Sequence, residues 1–167
     1  MESSSVWPVS PTRTAMTVGA FTAVLMLVVS AVGWQVVGWI VFLGGIYWGM
    51  KRFKNERGGI ITWFRALNAG FQTAFFASVI LAFVGYMSTK LEPSLITEML
   101  NTVEQQLKTA GIPEGLTELA MQQWREIFSP VVFALIIIFM YSAMGGIASI
   151  VYAFFVYTAK PGEFVDF

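Results

Sequence analysis

Three long stretches of this sequence contain no charged side chain. They cover residues 14–50, 66–89 and 127–159, which are runs of 37, 24 and 33 residues. A helix needs about 20 apolar residues to cross the hydrocarbon core of a bilayer. Each stretch is long enough to cross a membrane at least once, and the pattern predicts an integral membrane protein.

The first uncharged stretch is too long for a single crossing. One helix of this length would extend about 55 Å at 1.5 Å per residue, which is almost twice the thickness of the apolar core. Gln35 is the only strongly polar residue of the stretch and it follows Gly33, a combination that favours a turn. We therefore predict a first span near residues 14–33 and a second near 35–50.

The rest of the chain predicts two further spans, near residues 60–89 and 130–158, with a polar insert between them. The last span begins at Ser129-Pro130, an N-cap followed by proline at the first helical position, and we expect it to be the longest helix. Apolar residues recur at helical spacing through residues 90–128, and Gly111 and Pro113 interrupt them. The predicted fold is a single-domain, all-α membrane protein with four transmembrane helices and an external amphipathic helical hairpin between spans three and four.

The distribution of basic residues predicts the orientation in the membrane. Cytoplasmic loops carry an excess of lysine and arginine, so we expect both termini in the cytoplasm and residues 90–128 outside. The alternative is that the first apolar run is a signal peptide cleaved after Val29-Ser30-Ala31. The predicted cytoplasmic side holds Arg13, Lys51, Arg52, Lys54, Arg57, Arg65 and Lys160, and the outer side holds Lys90, Lys108 and Arg125.

The amino-acid composition excludes several classes of function. Only 12% of the residues are charged, and the net charge is zero, so nothing indicates a nucleic-acid partner. The chain has no cysteine and no histidine, which excludes disulfides, thiol chemistry and the usual zinc ligand sets. Phosphate-binding glycine loops and nucleophile elbows are also missing. We predict that the protein is not an enzyme and has no catalytic residues, metal or cofactor.

Small residues recur every four positions in the predicted spans. Such stripes form flat faces on which another helix backbone can approach closely. We expect them to pack the spans of one chain together; the alternative is a homo-oligomer or an interface with a membrane-protein partner. The clearest stripes are Ala66, Gly70, Ala74, Ser78 and Ala82 in span three, and Gly145, Ser149 and Ala153 in span four.

Span three also carries a polar face made of Arg65, Asn68 and Gln72. A charge inside a span is costly and usually has a function, so this face is a candidate site for a lipid phosphate or a small anion. The alternative is structural, because a long arginine side chain near a helix end can reach the headgroups.

A basic loop follows the second predicted span. Its side chains are a candidate surface for anionic lipid heads; the alternative is that they only set the orientation. The loop carries Lys51, Arg52, Lys54 and Arg57.

The order of these features resembles a known family. Span two ends in Tyr47-Trp48-Gly49-Met50-Lys51-Arg52-Phe53, and a charged Gly-Gly turn follows at residues 55–59. Span three opens with Trp63-Phe64-Arg65-Ala66-Leu67-Asn68-Ala69-Gly70. A Pro-led, Glu- and Gln-rich insert at residues 92–126 then leads into Ser129-Pro130. Over roughly residues 12–160 the chain resembles the small four-span proteins of Bacteroidota grouped as domain of unknown function 4199. The resemblance implies a bacterial inner-membrane protein of the cell envelope, without an established activity.

These observations leave two candidate functions for the protein. The first is a non-enzymatic scaffold or accessory subunit whose external hairpin contacts a partner. The second is a small lipid or solute carrier, or a helper that handles polyprenyl phosphate, which would use Arg65, Asn68 and Gln72. Membrane lipids are partners in both cases.

Overall fold

The computed structural model describes residues 11–158, which form six α-helices; this part of the chain contains no β-strand. The all-helical prediction is confirmed. The helices are α1 (Pro11–Ala31), α2 (Gln35–Glu56), α3 (Trp63–Leu91), α4 (Ser94–Thr109), α5 (Glu114–Ile127) and α6 (Pro130–Val156).

The helix ends differ from the predicted ones where the charged loop was expected. α2 continues to Glu56 instead of ending near residue 50, and an i,i+4 ion pair of 3.1 Å between Arg52 and Glu56 supports its last turns. The chain then turns at Gly58 and Gly59, whose φ angles are 73° and 88°. The prediction that the last span is the longest helix is wrong, because α6 has 27 residues and α3 has 29.

Three helices are long and apolar enough to cross a membrane. These segments are Thr12–Ala31, Trp63–Leu91 and Pro130–Val156, and they indicate a membrane protein. α2 is not among them, since its last turns, Lys51–Glu56, are rich in charge.

The described residues divide into two compact units, residues 11–80 with 139–158 and residues 81–138. α3 and α6 contribute to both. In the first unit, α1 and α2 pack against each other along their lengths as an antiparallel pair, joined by a turn in which Gly33 has a φ of 81°. The Thr14 hydroxyl donates to the Glu56 carboxylate at one end, and Gly45 lies against the Thr22 side chain near the middle.

α3 and α6 also run antiparallel in the first unit, and they meet at small residues. A Cβ atom added at Gly145 would overlap the Cβ of Ala74, and one added at Gly70 would lie 2.5 Å from Ser149 Oγ. The hydroxyls of Ser78 and Ser142 are 3.1 Å apart. The helices therefore approach as closely as their backbones allow. All of the predicted stripe residues are buried: Ala66, Gly70, Ala74, Ser78, Ala82, Gly145, Ser149 and Ala153.

α2 supplies the largest fully buried side chains of this unit. They are Phe42, Ile46, Met50 and Phe53, spaced by three or four residues along one face. Glycine lets α2 approach α3, since a Cβ atom at Gly49 would lie 2.6 Å from Thr73 Oγ1. Although α2 ends in charged residues, its other turns form much of the core of the first unit.

The second unit contains the hairpin of α4 and α5 together with the adjoining ends of α3 and α6. α4 and α5 pack against each other, and their buried side chains are Leu100, Thr117 and Met121. The helices are joined at Gly111, which has a φ of 78°. The periodicity of apolar residues had indicated a hairpin, but it did not single out these three positions.

Two adjacent glycines of α6 provide a matched test of the α3–α6 contact. Gly145→Ala places a methyl group against the Ala74 Cβ, and we expect it to lower the free energy of unfolding by about 1–3 kcal/mol. Gly146→Ala meets only the Phe71 ring, 3.6 Å away, and should be neutral or stabilising by up to about 1 kcal/mol because alanine favours the helix. Thermal unfolding in detergent, followed by circular dichroism, measures both. Equal midpoints for the two variants would contradict the close contact.

Candidate functional site

The structure joins two of the three residues of the predicted polar face on α3. Gln72 Nε2 donates a hydrogen bond of 3.2 Å to Asn68 Oδ1. Gln72 Oε1 is buried and has no hydrogen-bond partner among the described residues. Arg65 lies on α3 one turn before Asn68 and is partly buried. This face therefore combines a paired amide, an unsatisfied acceptor and a nearby cation.

The predicted basic loop is partly occupied by contacts within the protein. Lys54 Nζ donates a hydrogen bond of 3.0 Å to the carbonyl oxygen of Val156, and Arg52 pairs with Glu56. The contact of Lys54 places a cation at the C-terminal end of α6, where the carbonyl groups of the last turn need donors. Lys51 is exposed.

Arg57 packs onto an aromatic ring just after α2. Its guanidinium carbon lies 4.9 Å from the centre of the Phe53 ring, within the range of a cation–π contact. Partial burial and then the charge of Arg65 lower the pKa of Arg57. The guanidinium groups of Arg57, just after α2, and Arg65, in the first turn of α3, are therefore close enough to repel each other.

A groove lies between α3 and α6 next to the polar face. Its volume is about 380 Å³, and its surface is almost entirely apolar. One polar residue, Asn68, lines it. The other lining residues are Phe64, Leu67, Phe71, Gly146 and Ile150.

Trp63 lies at the α3 end from which the groove begins. Its ring is 5.1 Å from that of Phe64 and 5.9 Å from that of Phe154 on α6. The indole nitrogen is buried and has no hydrogen-bond partner in the described part of the chain, and the same is true of Arg57 Nε. A buried donor without an acceptor is costly, so these two groups suit a ligand that brings an oxygen.

The hairpin presents a second candidate surface. Leu116, Leu119 and Ile127 lie on one face of α5 and are 61%, 58% and 60% exposed. Trp124, beside them, is also exposed and stacks on Phe128 with ring centres 5.9 Å apart. The buried residues of α5 lie elsewhere on the helix, so the apolar face of the helix is wider than its contacts within the chain require.

Charged contacts hold the other side of the hairpin together. Glu104 on α4 binds Lys108 at 2.8 Å and Arg125 on α5 at 3.7 Å. The hydrogen bond from Lys108 is the main cause of the lowered pKa of Glu104, and the same contact raises the pKa of Lys108. Because these groups are exposed, the contacts orient the helices more than they stabilise them.

Sequence reasoning missed the groove and Trp63. Trp63 was read only as part of the opening of span three, and no periodicity marks a groove whose two walls are about 80 residues apart in the chain. The described residues contain no group of histidine, cysteine, aspartate or glutamate that could hold a metal ion.

The fold and these surfaces define an all-helical membrane protein with an amphipathic hairpin. The sequence profile of a family described as protein of unknown function (DUF4199) matches residues 13–158. The chain belongs to the DUF4199 family, as the resemblance indicated. No curated protein and no solved structure matches the chain.

Proposed function

We propose that the protein crosses the bacterial inner membrane four times. The support comes from α2, which packs antiparallel along α1 from the level of Ser30 and Gly38 to the level of Thr14 and Glu56. A helix that follows a membrane span over this length crosses the bilayer with it. The uncharged residues 35–50 give α2 an apolar length somewhat below the average core, a mismatch that bilayers accommodate at modest cost.

The proposed orientation puts both termini in the cytoplasm and the α4–α5 hairpin outside. Seven basic residues on one side against three on the other support it. The contacts of α1 with α2 and α3 favour an uncleaved first helix, because removing α1 would expose Thr73 and Gly45.

Cysteine labelling tests this topology. A cysteine at Gln105, an exposed position on α4, should react with a membrane-impermeant maleimide in intact spheroplasts. A cysteine at Lys51 should react only after the membrane is opened. The reverse pattern would contradict the orientation, and labelling of both positions in intact spheroplasts would contradict the four-span topology.

We further propose that the protein is a non-enzymatic scaffold or accessory subunit whose hairpin binds another membrane or envelope protein. The observation that carries this proposal is the exposed apolar face formed by Leu116, Leu119, Trp124 and Ile127. An apolar helix face of this kind fits a groove on a partner, as in other helix-in-groove complexes.

The charge of α5 favours a protein over the bilayer surface as its partner. Helices that lie on anionic membranes are rich in lysine and arginine. α5 instead carries three glutamates and one arginine, so anionic headgroups would repel it. A partner with an apolar groove and basic edges would match both faces of the helix.

Two neighbouring glutamines on α5 allow a matched cross-linking experiment. Gln123 lies on the apolar face, four residues from both Leu119 and Ile127, whereas Gln122 lies beside Glu118 and Glu126. Both glutamines are exposed. A photoreactive amino acid at 123 should give one discrete protein adduct in native membranes, and the same group at 122 should give at least about tenfold less, since side chains one position apart point about 100° apart.

A second variant shows whether the adduct depends on the apolar face. Leu119→Glu should abolish the adduct formed from position 123, while the protein remains in the membrane at normal levels. Adducts with phospholipid alone would contradict the protein-partner proposal, and so would equal yields from the two positions.

Carriage of a lipid phosphate is the second candidate function. It is favoured by the cation Arg65 on the α3 polar face and by the neighbouring Asn68, whose NH₂ group can donate to a phosphate oxygen while its Oδ1 accepts from Gln72.

Reconstitution into vesicles tests carriage. If the protein carries lipid, it should accelerate the movement of fluorescent phosphatidylglycerol between leaflets, and Arg65→Ala should return the rate to that of protein-free vesicles. Arg125→Ala, on the hairpin, should leave the rate unchanged. A wild-type rate equal to that of empty vesicles would rule out carriage and leave the scaffold proposal intact.

A further inference from the structure

The α3–α6 groove is an apolar slot that begins at a polar end. Going along α3 from Trp63, the slot passes Phe64, then Asn68, and reaches Phe71. From Phe64 to Phe71 the helix rises about 10 Å, which is enough to hold part of a fatty acyl chain. Gly146 forms part of the opposite wall, where a larger side chain would fill the slot.

A hydrogen-bond donor that lacks an acceptor among the described residues lies beside the α3 end of the slot, on Trp63, the residue before Phe64. The indole N–H of Trp63 is buried without a partner, and its ring is held between Phe64 and the α6 residue Phe154. Tryptophan is typical of the membrane interface, where lipid phosphates and glycerol esters lie. Asn68, about 7.5 Å further along α3, lines the slot with an amide whose oxygen is already bonded to Gln72, so its NH₂ group is the part left to donate.

The charged residues near the groove indicate which type of lipid headgroup would bind there. The guanidinium groups of Arg57 and Arg65 are close enough to repel each other, since the charge of Arg65 adds to the larger effect of burial in lowering the pKa of Arg57. An anionic headgroup is therefore favoured over a zwitterionic one.

We propose that the α3–α6 groove binds one anionic phospholipid of the cytoplasmic leaflet. The Trp63 N–H donates to its phosphate, the Asn68 amide donates to an ester carbonyl, and the slot holds one acyl chain. The inference requires that α3 and α6 cross the membrane, and it is independent of the hairpin's partner. A lipid held in this way is a fixed part of the protein, which separates this site from carriage between leaflets.

Native mass spectrometry of the full-length protein in detergent tests the site. The protein is titrated with phosphatidylglycerol or with phosphatidylcholine of the same acyl chains. We expect one phosphatidylglycerol to be retained in preference to phosphatidylcholine. Equal retention of the two lipids would overturn the proposed preference for an anionic headgroup. Displacement of the bound lipid by millimolar inorganic phosphate would overturn the proposal that the acyl chain contributes to binding.

Two glycine variants test the position of the chain. Gly146→Leu fills the slot, and its first side-chain carbon fits at 3.6 Å from the Phe71 ring; it should abolish the preferential retention. Gly44→Leu is the matched control, because Gly44 is an exposed helical glycine on α2 whose added Cβ would contact nothing within 4 Å. Retention by Gly146→Leu at the wild-type level would overturn the proposal, as would an equal loss in Gly44→Leu.

Trp63→Phe tests the headgroup contact without changing the slot. It keeps an aromatic ring beside Phe64 and Phe154 and removes the N–H donor together with the five-membered part of the indole ring. We expect phosphatidylglycerol to bind about tenfold more weakly, since the loss of one hydrogen bond to a charged group changes the binding affinity by about this factor. Phosphatidylcholine carries the same phosphate, so its weaker binding should fall by a similar factor. An unchanged affinity for both lipids would overturn the assignment of Trp63 to the phosphate.

Discussion

Close approach of helix backbones is the constraint on which this structure depends. Inside a bilayer, apolar side chains gain little by leaving lipid for protein, so van der Waals packing must hold the spans together. Gly145 leaves room for Ala74, and Gly70 leaves room for Ser149. Glycine weakens a helix, and its use at these positions is explained by contacts that no larger residue permits.

The same close contacts determine where polar groups can be buried. The hydroxyls of Thr22, Thr73 and Ser149 lie at the glycine contacts, and each donates to a backbone carbonyl four residues earlier. They bring no unpaired donor into the core. Among the described residues, the buried side-chain donors without a partner are those of Arg57, just after α2, and Trp63, at the start of α3, and the buried acceptor without a partner is Gln72 Oε1.

The groove follows from the close contact beside it. Gly145 faces Ala74, and because it has no side chain it allows α6 to approach α3 closely. The next residue, Gly146, faces the Phe71 ring and has no side chain to fill the space there. Two adjacent glycines thus serve different purposes, since successive residues on a helix point in directions about 100° apart. One closes the interface, and the other leaves an apolar slot that opens beside Asn68.

The α4–α5 hairpin differs from the first unit in the contacts that hold its helices together. Its helices carry many charged and polar residues, and few of its side chains are buried. Polar contacts such as that of Glu104 with Lys108 and Arg125 orient α4 and α5. α5 also keeps exposed apolar side chains that its contacts within the described chain do not cover, among them Leu116, Leu119 and Ile127.

Much of the architecture was determined by the sequence alone. The uncharged stretches, the break at Gly111 and the four-residue spacing of Gly70 and Ala74 are local patterns, and helix formation depends on local patterns. The spacing also indicated which faces would be small, although not which helix each face would meet.

Only the tertiary structure decided how distant segments meet. Lys54 was one of the candidate contacts for anionic lipid heads, and it binds the carbonyl oxygen of Val156, 102 positions away. α2 was expected to be a short span, yet its Phe42 and Ile46 are central to the core of its unit. Trp63 contacts Phe154, 91 positions away, and lies next to the groove between α3 and α6. These outcomes depend on the packing of whole helices, in which one glycine sets the distance between residues that no local pattern connects.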